Sequence, residues 1–90
     1  MESKIQDEMK CYICGRQFNL ERHHVFFGTA NRSKAEEDGM WVWLCHDCHY
    51  GVHNGNNWAK EDLQRWGQEN WEKEFGDRDA FIKRYGKSYL

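Results

Sequence analysis

The sequence predicts a small α+β domain held together by metal, and three observations carry that prediction. Two Cys-x2-Cys pairs, Cys11/Cys14 and Cys45/Cys48, have the spacing of a four-thiolate tetrahedral zinc site. Between them lie two short stretches rich in β-branched, aromatic and aliphatic residues, Val25-Phe26-Phe27 and Met40 to Leu44. Beyond them Trp58, Leu63, Trp66, Trp71 and Phe75 recur at helical intervals. The 90 residues form a single domain. At that size a hydrophobic core alone supplies only about 3 to 5 kcal/mol, so a metal staple is physically motivated. Residues 11–56 are expected to form the zinc-stapled core and residues 57–90 a helical C-terminal extension.

The first ten residues are polar and without clear period, a loose lead-in or a short helix. Cys11-Tyr12-Ile13-Cys14-Gly15-Arg16 reads as a zinc knuckle, with Gly15 allowing the tight turn behind the thiolates. Asn19 to Phe27 should contain a strand, with the His23-His24 doublet on it or at its entrance. Gly28 to Gly39, polar and ending in Glu36-Glu37-Asp38, reads as a solvated loop with room for one helical turn. Met40 to Leu44 gives a second strand, and a helix follows from Cys48.

Asn54-Gly55-Asn56-Asn57 should break that helix. A longer one is predicted from Trp58 to Phe75, burying the aromatic stripe and weakened or bent at Gly67. Gly76 is placed to end it and Asp77 to cap a last helix that buries Phe81, Ile82 and Tyr85 before Gly86. There is no internal repeat beyond the paired cysteine motifs, no low-complexity segment and no linker.

Composition narrows the function classes. A net charge of -2 argues against a broad basic face for nucleic acid, although residues 1–35 carry six Lys or Arg against four acids. No apolar run of about 18 residues occurs, so no membrane span is expected. No apolar leader precedes the first cysteine pair, and the spacing suits metal better than disulfides, so a soluble, reducing, intracellular setting is expected. A thiol redox role is disfavoured because no βαβ pattern surrounds either pair.

The histidines suggest a second metal site of different character. His49 and His53 lie one helical turn apart, and His23 can cross from the strand to join them. Three imidazoles leave coordination positions open for water or substrate, whereas four thiolates close their site. His24, on the other side of the pleat, would face the substrate, where a neutral imidazole can take a proton from water. An all-imidazole site suits zinc, nickel, cobalt or manganese better than magnesium. His46, between Cys45 and Cys48, is expected to be exposed rather than a ligand. Arg22 and Arg32 are candidates to hold phosphate.

Cys11-Tyr12-Ile13-Cys14-Gly15, Glu21-Arg22-His23-His24-Val25-Phe26 and Trp43-Leu44-Cys45-His46-Asp47-Cys48-His49 with His53 together resemble the HNH endonucleases of the zinc-stapled ββα-metal (His-Me finger) kind, particularly small phage-type proteins. The matching residues span nearly half the chain. The resemblance implies metal-dependent hydrolysis of DNA phosphodiesters by a single-metal, His-base mechanism, with His24 as general base and a structural Zn2+ on Cys11, Cys14, Cys45 and Cys48. His23, His49 and His53 would surround a second divalent ion (Zn2+, Mn2+, Ni2+, Co2+ or Mg2+), although the His53 position contacts phosphate in some members. That ion would stabilise the phosphorane and the departing 3'-oxygen, leaving a 5'-phosphate. Duplex or branched DNA, and other phage proteins, are the implied partners, and the cytoplasm of a bacterial or phage-infected cell the implied location. The sequence departs from the family where an Asn is expected about five residues before Cys45: Met40 stands there, and Asn31 is the candidate to brace the loop instead. The competing reading is a non-catalytic zinc module that binds DNA or a phage protein, indifferent to Met40 and holding one zinc.

Overall fold

Strands β1 (Leu20–His24) and β2 (Trp41–Cys45) pair antiparallel, with Glu21 opposite Leu44, Arg22 opposite Trp43, His23 opposite Val42 and His24 opposite Trp41. The computed structural model describes residues 1–55 and 58–90. Asn56 and Asn57, assigned from sequence to the break between two helices, lie outside the described residues. Four helices accompany the strands among the described residues: α1 (Thr29–Asp38), α2 (His46–His53), α3 (Ala59–Glu74) and α4 (Arg78–Tyr85). The architecture is thus α+β, as predicted. None of these helices is long and apolar enough to cross a membrane.

The pleat sorts the Glu21-Arg22-His23-His24 run into two faces. Glu21 and His23 meet residues of α2, whereas Arg22 and His24 meet Glu36 of α1. The strand lies within the predicted Asn19 to Phe27 segment. Val25 and Phe26 lie beyond His24 and are completely buried, so their β-branched and aromatic character reflects the core rather than a longer ladder.

Helix α1 replaces the predicted loop. Its composition is polar but includes the good helix formers Ala30, Lys34, Ala35, Glu36 and Glu37. Gly39, at φ 73°, closes it in the left-handed conformation, and the N–H of Met40 reaches back to the carbonyl of Ala35 at 2.8 Å. What holds the helix in place is tertiary: buried Asp38 accepts from Arg84 Nε at 2.6 Å, Trp71 Nε1 at 2.8 Å and the Tyr85 hydroxyl at 2.8 Å. Those partners lie more than thirty residues away in the chain, where a local hydrophobic period does not register them.

The N-terminal segment is not a loose lead-in. Gln6 Oε1 accepts the Trp43 N–H at 2.7 Å, the Tyr12 N–H donates to the Trp43 carbonyl at 2.8 Å, and Ile5 is buried. The segment thereby covers the outer edge of β2, which would otherwise expose unpaired backbone groups.

Helix α3 divides the expected aromatic stripe. Its buried line is Ala59, Leu63, Gly67 and Trp71, at four-residue intervals, while Trp58, Trp66 and Phe75 are exposed. Small residues at the contact escape a search for hydrophobic periodicity. The helix runs continuously through Gly67, and a Cβ there would lie 2.7 Å from Val25 Cγ2 and 3.1 Å from Phe26 Cζ, so the glycine serves close approach. Asp77 caps α4 as predicted, accepting from the Ala80 N–H at 2.9 Å. Phe81 and Tyr85 are buried; Ile82, expected in the core, faces solvent.

Candidate metal centres and the adjoining cleft

The knuckle at Cys11 and Cys14 meets the junction of β2 and α2, where Cys45 ends the strand and Cys48 sits in the first helical turn. All four Sγ atoms lie within 4.8 Å of one another, and Cys14 Sγ is 3.7 Å from Cys45 Sγ. A tetrahedron with Zn–S bonds of about 2.3 Å has edges of about 3.8 Å, so the four cysteines fit a zinc ion. Burial works against ionisation of Cys11, but backbone N–H groups at Cys14, Cys45 and Ile13 outweigh it and bring the thiol to about 6. Burial and the neighbouring sulfurs push Cys48 upward. A shared cation removes that conflict by favouring thiolate at every position.

His23, His49 and His53 form the second cluster, with ring nitrogens within 4.8 Å of one another. His49 Nε2 and His53 Nε2 are 3.0 Å apart. His23 is completely buried, and neither of its ring nitrogens has a hydrogen-bond partner among the described residues. Burial, followed by the neighbouring histidines, pushes its pKa down to about 3, so its imidazole is neutral. Glu21, which the sequence reading did not single out as a site residue, accepts from His49 Nδ1 at 2.8 Å. That places the His49 proton on Nδ1 and presents an Nε2 lone pair to the other two rings. A buried orphan nitrogen and a tautomer set from behind fit a divalent metal with nitrogen ligands. His46 is exposed, as expected, and bonds Glu21 at 3.0 Å.

A cleft of about 380 Å³ opens beside the histidine cluster, lined by His24, His49, His53, Arg22, Arg32 and Phe27 among others. His24 Nε2 is 2.9 Å from Glu36 Oε1, and Glu36 Oε2 accepts from Arg22 Nη1 at 2.7 Å. Arg22 also stacks over Trp41 at 4.1 Å, so of the two predicted phosphate ligands it is already engaged. The Arg32 side chain makes no hydrogen bond or ion pair among the described residues and is free to meet an anion at the cleft. Met40 is wholly buried in the core. Asn31 Nδ2 donates to the Phe27 carbonyl at 3.2 Å and to the Tyr85 carbonyl at 3.0 Å, tying the segment after β1 to the end of α4.

The structure therefore brings together every predicted cysteine and histidine ligand and sets His24 and both arginines on the adjoining cleft. Sequence reasoning missed Glu21 and Glu36. The first was within reach, because period-two alternation puts Glu21 on the face of His23. The second had no local signal, since its position depends on α1. No family model, curated protein or solved structure matches the chain.

Proposed function

We propose that this chain is a metal-dependent endonuclease of the HNH, ββα-metal kind, hydrolysing DNA phosphodiester bonds. The observation that carries the reading is His23: a fully buried imidazole without a hydrogen-bond partner among the described residues, packed against His49 and His53, one residue before a histidine on a cleft. In this reading β1, β2 and α2 make up the ββα-metal core, the four cysteines hold a structural zinc, and His23, His49 and His53 hold the second ion. When bound, that ion supplies Lewis-acid stabilisation of charge on the phosphoryl and departing oxygens.

The chain's own residues supply the rest. His24 accepts a proton from the water whose oxygen attacks phosphorus in line. As the new P–O bond forms, the bond to the 3'-oxygen breaks; that oxygen is protonated from solvent, leaving a 3'-hydroxyl and a 5'-phosphate. Arg32 holds a substrate phosphate by charge and hydrogen bonding, while Arg22, paired with Glu36, shapes the wall of the site. An imidazole ligand set favours zinc, manganese, nickel or cobalt over magnesium.

Plasmid nicking by the zinc-loaded protein with each metal added in turn tests this. Cleavage that needs a second ion and is abolished in a still-folded His24→Ala variant is the expected result. A second reading, a non-catalytic zinc module, draws support from Met40, whose buried thioether cannot do the bonding of the family's Asn. Metal analysis separates the two: the nuclease holds two ions per chain and loses one in His49→Ala, whereas the module holds one throughout.

A further inference from the structure

Helix α1 brings one carboxylate, from outside the motif, against two residues that line the cleft. The Glu36 carboxylate bridges two side chains of β1 on the same face of the pleat, with Oε1 at 2.9 Å from His24 Nε2 and Oε2 at 2.7 Å from Arg22 Nη1. A second donor, the N-terminal amine of Met1, approaches Oε2 at 3.6 Å. The hydrogen bond with His24, followed by the pair with Arg22, outweighs burial and holds the carboxyl below its usual range, so it is ionised and can only accept. Both ends of the bridge are fixed. Arg22 is stacked on Trp41, and Asp38, two residues past Glu36, is pinned by Arg84, Trp71 and Tyr85.

We propose that Glu36 is the positioning residue for His24, holding the imidazole proton on Nε2 so that Nδ1 is the nitrogen that takes the proton from water. The role of Nδ1 rests on the nuclease reading; the tautomer and ring orientation do not. Nδ1 has no partner among the described residues, and the ring lines the cleft. Glu36 thus does from a neighbouring helix what a base histidine requires: it fixes which nitrogen carries the proton.

The isosteric Glu36→Gln variant tests this, because an amide has one acceptor and one donor end. The donors Arg22 and Met1 claim its oxygen, so its NH2 group faces His24 Nε2 and drives the proton to Nδ1. Long-range 1H–15N correlation spectra of the full-length, zinc-loaded protein above neutral pH read the tautomer, with His24→Ala assigning the signal. The expected result is Nε2–H in the wild type and Nδ1–H in Glu36→Gln. Alongside it, kcat for DNA cleavage should fall about 100-fold, with KM and the number of bound ions unchanged. A wild-type His24 protonated at Nδ1, or a variant with unaltered tautomer and kcat, overturns the proposal. A wild type that cleaves no DNA sinks the nuclease reading alone, since the tautomer switch still decides whether Glu36 positions His24.

Discussion

The cysteine and histidine clusters share one helix and differ in what surrounds them. Cys48 and His49 are adjacent on α2, yet the thiols draw on the knuckle and the end of β2, while the imidazoles lie beside a cleft. Four soft anionic donors satisfy an ion completely. Three imidazoles, one buried without a hydrogen-bond partner among the described residues and one bonded to Glu21, could hold an ion while leaving it accessible. Placing the two side by side on α2 means that an ion held by the thiols would also set the aim of the residues that would do chemistry.

The sharpest way to break that comparison is to remove the structural ion. Structural zinc in small modules contributes on the order of 10 to 16 kcal/mol, more than a chain of this size can draw from its core. Stripping zinc with a strong chelator, or Cys45→Ser, is expected to abolish the cooperative thermal transition seen by circular dichroism. Retention of that transition would show that the thiol cluster is dispensable. At the histidine cluster the expected outcome is reversed. His23→Ala should reduce affinity for the second ion by more than about 100-fold in a cobalt titration, with the zinc-dependent fold intact, because it removes a candidate ligand whose nitrogens have no hydrogen-bond partner among the described residues.

Two gentler changes sharpen the distinction. Glu21→Ala frees His49 to adopt either tautomer and should weaken the second ion about 10- to 100-fold while the thiol-bound zinc stays stoichiometric. Equilibrium dialysis reads both sites in one experiment. The smallest effect is expected at His46, which lies between two of the cysteines in sequence but is exposed and bonded to Glu21. His46→Ala should leave the metal content at two ions per chain and the melting temperature where it was, as judged by elemental analysis and a thermal scan.

These contrasts also explain which features were legible in the sequence. The cysteine pairs and the His49/His53 spacing are local, so helical and knuckle geometry predict their convergence. Strand alternation separated His23 from His24 for the same reason. Helix α1 was hidden because its amphipathic signal is negligible and its anchor is Asp38, bonded to three side chains from the far end of the chain. Glu36 was hidden with it. The buried line of α3 was misread because Ala59 and Gly67, too small to register as a hydrophobic stripe, occupy places given from sequence to Trp58 and Trp66. Local pattern thus revealed the candidate ligands, and tertiary context supplied the residues that orient them.

Gly67 has a consequence for how variation in this chain will look. The glycine backs directly onto Val25 and Phe26, the two residues that follow His24, and Phe26 also lines the cleft. A single added methyl group has nowhere to go without shifting that pair, and Val25 is bonded directly to His24 in the chain. If the chain cleaves DNA as proposed, a mutational screen scored on loss of cleavage would rank position 67 beside the histidines, although it bears no functional group.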